Sequence, residues 1–485
     1  MPTLQLAPFS TMTQPSTNTT HTPSLEACRA LDAADTLAPL RAQFDVPAGV
    51  IYLDGNSLGA LPKAASSMVR RAVEHEWGEG LIRSWNDAGW ITRAQAVGDA
   101  IAPLVGAGAG ELLAADSTSI NLHKVLWAAM SCAELGAGRR ASSGADPGVD
   151  AVAASPSAPL VILTERGNFP TDTYIAQGVC QTRGWTLREF APEGPGRAAM
   201  MAALKRELSQ GDVGVLMLTH INYRSGAMHD MAAVNRLCAQ AGVLTVWDLA
   251  HSAGAVPVDL KAEGKASDPE VTAPADFAVG CGYKYLNGGP GAPAFVWVHP
   301  RHVDAAEQPL RGWLGHAAPF AFESGYRPAS GIARYVCGTP PILSLTALQA
   351  GVQTLRAADP LGGMNALRAK SLSLTRTFIE AAEPAAHTHG LWLLSPREDE
   401  ERGSQVSWAC PPEVDGYAVM QALIARGVIG DFRAGDGTAH LPDLLRFGFA
   451  PLYNSHEEAW LAAQALGQEL ARSAGRPSVQ RASVT

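Results

Sequence analysis

No Cys-x-x-Cys pair, no basic stripe, no long apolar run and no internal repeat occurs in this 485-residue sequence. Its seven cysteines, Cys28, Cys132, Cys180, Cys238, Cys281, Cys337 and Cys410, are scattered and odd in number. Such a set fits reduced thiols in a cytosolic protein better than a disulfide framework or a zinc site, and no metal is expected. Lysine and arginine number 37 against 46 acidic residues, a net charge of -9. That balance repels phosphate backbones and gives no support to a nucleic-acid partner. No uninterrupted apolar run approaches the roughly 18–20 residues needed to cross a bilayer, so no membrane partner is expected either.

Charged residues make up 17% of the chain and hydrophobic ones 47%, the composition of a folded globular protein. The length exceeds the size at which one core stops growing, so two domains, or a large one with an appendage, are expected. Residues 1–25 are rich in Ser, Thr and Pro and lack the basic start and apolar centre of a secretory signal, so they read as a mobile tail. Residues 136–159 and 261–275 read as surface insertions, and the stretch after Ser473 as a second polar tail.

Short, almost wholly apolar runs recur at 160–164, 214–219, 243–248, 277–281 and 294–298, with helix-compatible stretches between most of them. That alternation implies an α/β fold with a mostly parallel sheet covered on both faces. Ligands of such sheets bind outside the carboxyl ends of the strands. The first four runs lead there into stretches bearing polar groups: Asn168 and Asp172, with Phe169 between them; Thr219; Asp248 and His251; Tyr283 and Lys284. Before them, a helix is expected over 25–43, a strand and polar turn from Gly49 to Gly59, a helix whose first position is Pro62, and a loop over the aromatic stretch 84–90. From about Trp392 a smaller α+β unit is expected, with a strand at 405–409, a helix at 416–426 and Arg446 inside an apolar strand. Ser455 and Glu458 form a capping box for a last helix with Ala459, Ala463, Leu466 and Leu470 on one stripe.

The chemistry concentrates on three features. Lys284 stands between two tyrosines at a strand end, before a glycine-rich turn, where a partly desolvated amine can react with a carbonyl. Asp248 ends the preceding strand. Ser117, Thr118 and Ser119 precede an apolar helical run, so hydroxyls and free amides face outward as an anion cup. An amine, a carboxylate and a phosphate cup are what pyridoxal phosphate requires.

Asp248-Leu-Ala-His251, followed by Tyr283-Lys284-Tyr-Leu-Asn287 and its glycine-rich continuation, resembles the fold type I pyridoxal-phosphate enzymes, in the branch holding cysteine desulfurases and kynureninases. Further stretches are similar to kynureninases: Tyr52-Leu-Asp54-Gly-Asn56-Ser57-Leu-Gly59, Ser119-Ile-Asn121-Leu, Phe169-Pro-Thr-Asp172, Arg311-Gly-Trp313-Leu-Gly-His316, Thr339-Pro-Pro-Ile and Arg446-Phe-Gly-Phe-Ala-Pro-Leu-Tyr-Asn. They run in the family's order from about residue 45 to about residue 470.

The resemblance implies a large cofactor-binding domain over 56–345 with a mostly parallel seven-stranded sheet, a smaller C-terminal α+β domain over 346–473, an N-terminal segment 26–55 packed on the small domain, and a tail over 474–485. It implies hydrolysis of L-kynurenine to anthranilate and L-alanine, with 3-hydroxykynurenine as a second substrate, in a cytoplasmic homodimer whose site lies at the subunit interface. Lys284 would carry pyridoxal phosphate and move the substrate's α-proton, and Asp248 would hold the ring nitrogen. His251, Phe169 and Asp172 would support the ring, while Thr118, Ser119, Tyr283 and Thr219 would hold the phosphate and its surroundings. Tyr283 is also a candidate proton donor. Arg446 would take the substrate carboxylate. Ser57, Trp85 and Thr339 would lie near the substrate's aromatic end, and Trp313 would reach the cofactor from a neighbouring subunit, as Thr339 would also touch it. The alternative is a cysteine desulfurase or selenocysteine lyase, but those enzymes place a cysteine just before the substrate arginine, and residues 431–445 contain none.

Overall fold

The computed structural model describes residues 23–143, 160–263, 273–436, 438 and 441–472. Residues 1–22, the whole C-terminal tail and much of the two expected insertions lie outside the described residues; residues 136–143, expected in the first insertion, instead continue helix Thr118–Ser143.

Seven strands form the large sheet: β1 (Leu112–Ala114), β2 (Val161–Glu165), β3 (Thr186–Phe190), β4 (Val213–Thr219), β5 (Leu244–Asp248), β6 (Phe277–Gly280) and β7 (Phe295–Val298). Their order across the sheet is β1-β7-β6-β5-β4-β2-β3. β7 runs against both neighbours, and every other pairing is parallel. Every residue of β4, β6 and β7 is buried, which explains their continuous apolar composition: strands covered on both faces have no solvent side to mark. The register sets Thr219 beside Asp248, and Asp248 beside Val279, so the polar ends of β4, β5 and β6 lie level at one edge.

The five apolar runs became β2, β4, β5, β6 and β7. β1 and β3 were not foreseen. Both are edge strands, β1 only three residues long and β3 carrying Arg188 and Glu189 on a largely solvated segment, and charge on an edge strand is a usual protection against stray pairing.

The smaller unit has a four-stranded antiparallel sheet in the order Asp431–Arg433, Leu444–Gly448, Gln405–Ala409, Trp392–Leu393. Its separate core holds Leu53, Phe378, Trp408, Phe447, Phe449 and Leu466. The last helix, His456–Ala471, opens with the reciprocal Ser455/Glu458 capping box, and Ala459, Ala463, Leu466 and Leu470 are buried. The carboxylate of Asp32, from the N-terminal helix Leu25–Ala33, accepts from the backbone amides of His456 and Glu457 at 2.7 and 2.9 Å, an anion at a helix N-terminus. Strand Ile51–Tyr52 pairs with Val428–Ile429, and Asp54 bridges to Gly448. The N-terminal turn is thereby delivered beside Arg446. It also lies under Lys284: the Gly59 amide donates to the Tyr283 carbonyl at 2.8 Å, and a Cβ on Gly59 would stand 2.5 Å from the Lys284 carbonyl.

Three local expectations need correction. The helix expected over 25–43 stops at Ala33 and resumes as a tighter turn, Ala38–Gln43, with Pro39 at its start. Pro62 is the extended residue before helix Lys63–Arg71, not its first helical position. The aromatic stretch 84–90 is not a loop: it holds a short helix, Ser84–Asp87, and Trp90 opens helix Trp90–Ile101. There Trp90 donates to Glu76 at 2.7 Å and packs edge-on against Trp85, so ring packing stabilises what composition alone reads as irregular.

Candidate active site

A cavity of about 570 Å³ opens beyond the carboxyl ends of β2, β4, β5 and β6. Ten of the residues singled out in the sequence line it, Ser117 among them just before the helix that starts at Thr118. Thr118 and Ser119 come from the first turn of helix Thr118–Ser143; Phe169 and Asp172 follow β2; Thr219 ends β4; Asp248 and His251 close β5; Tyr283 and Lys284 follow β6.

Lys284 Nζ lies 2.9 Å from His251 Nε2. Burial first, then the positive charges of Lys284, Arg446 and Arg433, holds the His251 pKa well below its usual value. The imidazole is therefore neutral, Nε2 accepts from the amine, and the proton sits on Nδ1, which finds no partner among the described residues. Asp248 accepts from the Ala250 amide at 2.8 Å and is also hydrogen-bonded to Asp172. Burial, and next the charge of Asp248, push the Asp172 carboxyl far upward. Burial raises Asp248 as well, with Lys284, the Ala250 amide and the Asp172 hydrogen bond opposing, so the proton of this pair sits on Asp172, which donates to Asp248, while Asp172 Oδ2 finds no partner among the described residues. At the back, Thr219 donates to the Asn168 side-chain oxygen, which also accepts from the Phe169 amide at 2.7 Å. Asn168 has no assigned role from sequence beyond its place in the polar run after β2.

Arg446 does not line the cavity but stands at its margin. Its Nη1 donates to the carbonyl of Tyr223, a cavity residue, at 2.7 Å, and its Nη2 donates to Ser57 Oγ at 2.8 Å and to the Asp431 carboxylate. Ser57 in turn donates to Asp431 at 3.0 Å, and Arg433 pairs with the same carboxylate at 2.7 Å. Asp54, beside them, is raised to about 7 by burial and by Asp431, with Arg446 opposing. Asp431 and Asp54 were not assigned roles in the sequence. Asp431 faces Arg446 directly across the antiparallel pair, so reading 431–433 and 444–446 as hairpin partners would have revealed it.

Three singled-out residues are not brought to the cavity within this chain. Trp85 packs on Trp90, ring centroids 5.9 Å apart. Trp313 is 41% exposed and meets Phe320 edge-on. Thr339 is exposed, two residues before Pro341, which does line the cavity.

The fully buried His220, just after β4, has a pKa lowered to about 3 by burial first and then by His229 and Arg197. The unfolded chain binds a proton below the free imidazole value of about 6.5 that the folded chain refuses. The stability His220 contributes is therefore complete above about 6.5 and declines as pH falls toward its folded value. Replacing it should remove that slope: from pH 8 to pH 5, the fall in unfolding free energy should be about 2 kcal/mol smaller in apoprotein carrying His220→Leu. Denaturant titrations at both values measure this, and parallel behaviour of the two proteins would show that His220 protonates in the fold.

The cavity fits a flat, phosphorylated, carbonyl-bearing pyridine. An amine stands at one wall, a carboxyl pair with an unpartnered oxygen at another, and a hydroxyl-bearing helix N-terminus at a third. Sheet, cavity and lysine together are those of a fold type I pyridoxal-phosphate enzyme. The solved cysteine desulfurase of Thermococcus onnurineus NA1 superposes with a TM-score of 0.68 at 18% identity, covering 90% of this chain and 98% of that one. A mutant of the protein C-DES, with glycine covalently linked to its PLP cofactor, gives 0.69 at 18% identity, covering 88% and 98%. At such identities the likeness is one of fold. Sequence narrows it further. The chain is 48% identical to the kynureninase of Pseudomonas fluorescens, over 92% of this chain and 95% of that protein, and residues 367–466 match the family model described as the kynureninase C-terminal domain. This chain belongs to the kynureninase family.

Proposed function

We propose that this protein is a pyridoxal-phosphate-dependent hydrolase that cleaves the Cβ–Cγ bond of L-kynurenine, giving anthranilate and L-alanine. The observation that carries the reading is the joint placement of Lys284, the Asp172/Asp248 pair and Arg446 about one cavity, in a chain 48% identical to a kynureninase. Bound there, pyridoxal phosphate supplies an electron sink for charge developing at the substrate's α-carbon.

The chain's own groups do the rest. Lys284 would hold the cofactor covalently and would move the proton at the substrate's α-carbon. Asp248, whose carboxylate form is favoured by Lys284, the Ala250 amide and the hydrogen bond from Asp172 against the effect of burial, would accept from the N–H of the pyridine ring. His251 and Phe169 would support the ring, and Thr118, Ser119 and Thr219 would hold the phosphate end. Arg446 would bind the α-carboxylate and so orient the substrate in the cavity; planar guanidinium suits that pairing. Burial raises the Tyr283 phenol, with Cys281 and Asp248 adding to the effect, so it stays protonated and can donate a proton. A water molecule is consumed: its oxygen ends in the carboxyl group of anthranilate, and alanine gains hydrogen at Cβ.

Among the described residues no helix is long and apolar enough to cross a membrane. We infer further a cytoplasmic homodimer. In it the exposed Trp313 and Thr339 complete the neighbouring site, while residues 26–55 belong with the small domain, 56–345 form the large one and 346–473 the small one. The support is two groups of exposed large apolar side chains, Trp77, Leu81 and Ile82 close in sequence, and Trp313, Phe320 and Phe322, whose rings meet edge-on.

Purified protein mixed with pyridoxal phosphate and L-kynurenine should release fluorescent anthranilate and equimolar alanine. Sulfide from cysteine, without anthranilate from kynurenine, would replace this reading with a desulfurase one.

A further inference from the structure

Lys124 is wholly buried behind the helix turn that carries Thr118 and Ser119, and the reaction above does not use it. A buried ammonium is costly unless its donors are met. Lys124 meets three acceptors: the Asp116 carboxylate at 2.5 Å, the Tyr335 carbonyl at 2.7 Å and the Asn121 side-chain oxygen at 3.2 Å. Asp116 is the residue at which the chain turns into the helix, with φ +50°, a region that non-glycine residues enter only when held there. Its carbonyl accepts from the Ala294 amide at 2.9 Å, and buried Asn121 ties the residue before it, donating to the Ala115 carbonyl at 2.8 Å. Lys124 therefore joins the turn, the helix and the Tyr335 segment. Asp116, Ala294 and, further along that segment, Pro341 and Ser344 all line the cavity.

We infer that Lys124 is a positioning residue for the phosphate end of the cofactor site: from outside the cavity it fixes the Asp116 turn, so that the amides and hydroxyls of Ser117, Thr118 and Ser119 face a phosphate. This rests on the assignment of those three residues as the phosphate cup. A lysine that only braces the fold would affect every ligand of the cavity alike. One that shapes the cup affects only ligands bearing phosphate.

Pyridoxal phosphate and pyridoxal, which differ by that group, separate the two roles. Each is titrated into apoprotein of the wild type, Lys124→Met, and Thr118→Ala combined with Ser119→Ala, with tryptophan fluorescence reporting binding and apoprotein melting recorded alongside. Lys124→Met should weaken pyridoxal phosphate about tenfold or more and change pyridoxal by no more than about twofold. Equal weakening of both ligands, or of neither, overturns the proposal. If the double variant keeps the wild-type preference for the phosphorylated ligand, the cup lies elsewhere and the proposal falls with it. If the double variant loses that preference and Lys124→Met does not, the cup stands and the role of Lys124 fails. Should Lys124→Met not fold, Asp116→Asn weakens the same tie from its other end and is read in the same way.

Discussion

Lys284→Ala should lower turnover of L-kynurenine by at least about a thousandfold, because it removes both the covalent attachment and a general base whose contribution alone is ~10²–10⁴. Binding and chemistry should separate cleanly. The groups assigned to the phosphate and the ring, Thr118, Ser119 and Asp248, come from other elements and remain in place. The variant should therefore still bind pyridoxal phosphate, but borohydride should no longer fix it to the protein, and mass spectrometry of the treated protein reads this directly. Loss of the amine also leaves His251 Nε2 without its neighbour at 2.9 Å and takes a positive charge from Asp248. Added primary amines should restore part of the rate by occupying that space. A borohydride-stable adduct of unchanged yield in Lys284→Ala would place the covalent bond on another lysine.

The core of this site was legible because each of its groups follows directly on an apolar strand. β4, β5 and β6 are uninterrupted in sequence, so their ends, Thr219, Asp248 and the turn bearing Tyr283 and Lys284, could be located before any tertiary contact was known. The Arg446 surroundings were only half legible. Arg446 and Ser57 could be named from their motifs, but the carboxylate they share, Asp431, is set by a cross-strand register that apolar pattern does not specify in a short hairpin. Lys124 lies in the apolar helical run after Ser119, where nothing in the sequence marks it, since burial of a charged residue depends on acceptors as far away as Tyr335. Trp85, Trp313 and Thr339 are a third case. They were named through resemblance, and one chain by itself leaves Trp313 and Thr339 at the surface.

Arg446→Ala should raise the KM for L-kynurenine at least about thirtyfold, since truncating one partner of a buried, charge-assisted pair costs ~2–5 kcal/mol. The same change has a second, opposing claim on interpretation. Arg446 is 2% exposed and neutralises Asp431, which is 1% exposed, and leaving a buried charge unpaired can cost ~3–5 kcal/mol of stability. Two features limit that cost here: Arg433 stays 2.7 Å from Asp431, and Asp54, already near 7, can take up a proton. The sign follows from Asp54. Its folded pKa is raised, so its stabilising contribution is complete below the unfolded value of about 3.9 and is lost as pH rises through about 7. Without Arg446 the folded value moves higher, and the loss continues to higher pH. The stability deficit of Arg446→Ala should therefore be larger at pH 8 than at pH 6. Combining it with Asp431→Asn should recover most of the melting temperature while leaving KM elevated. Arg446→Lys, which keeps the charge but not the planar fork, should melt near the wild type and still show a raised KM. An Arg446→Ala protein that folds normally and keeps its KM within about threefold of the wild type would put the substrate carboxylate on another residue.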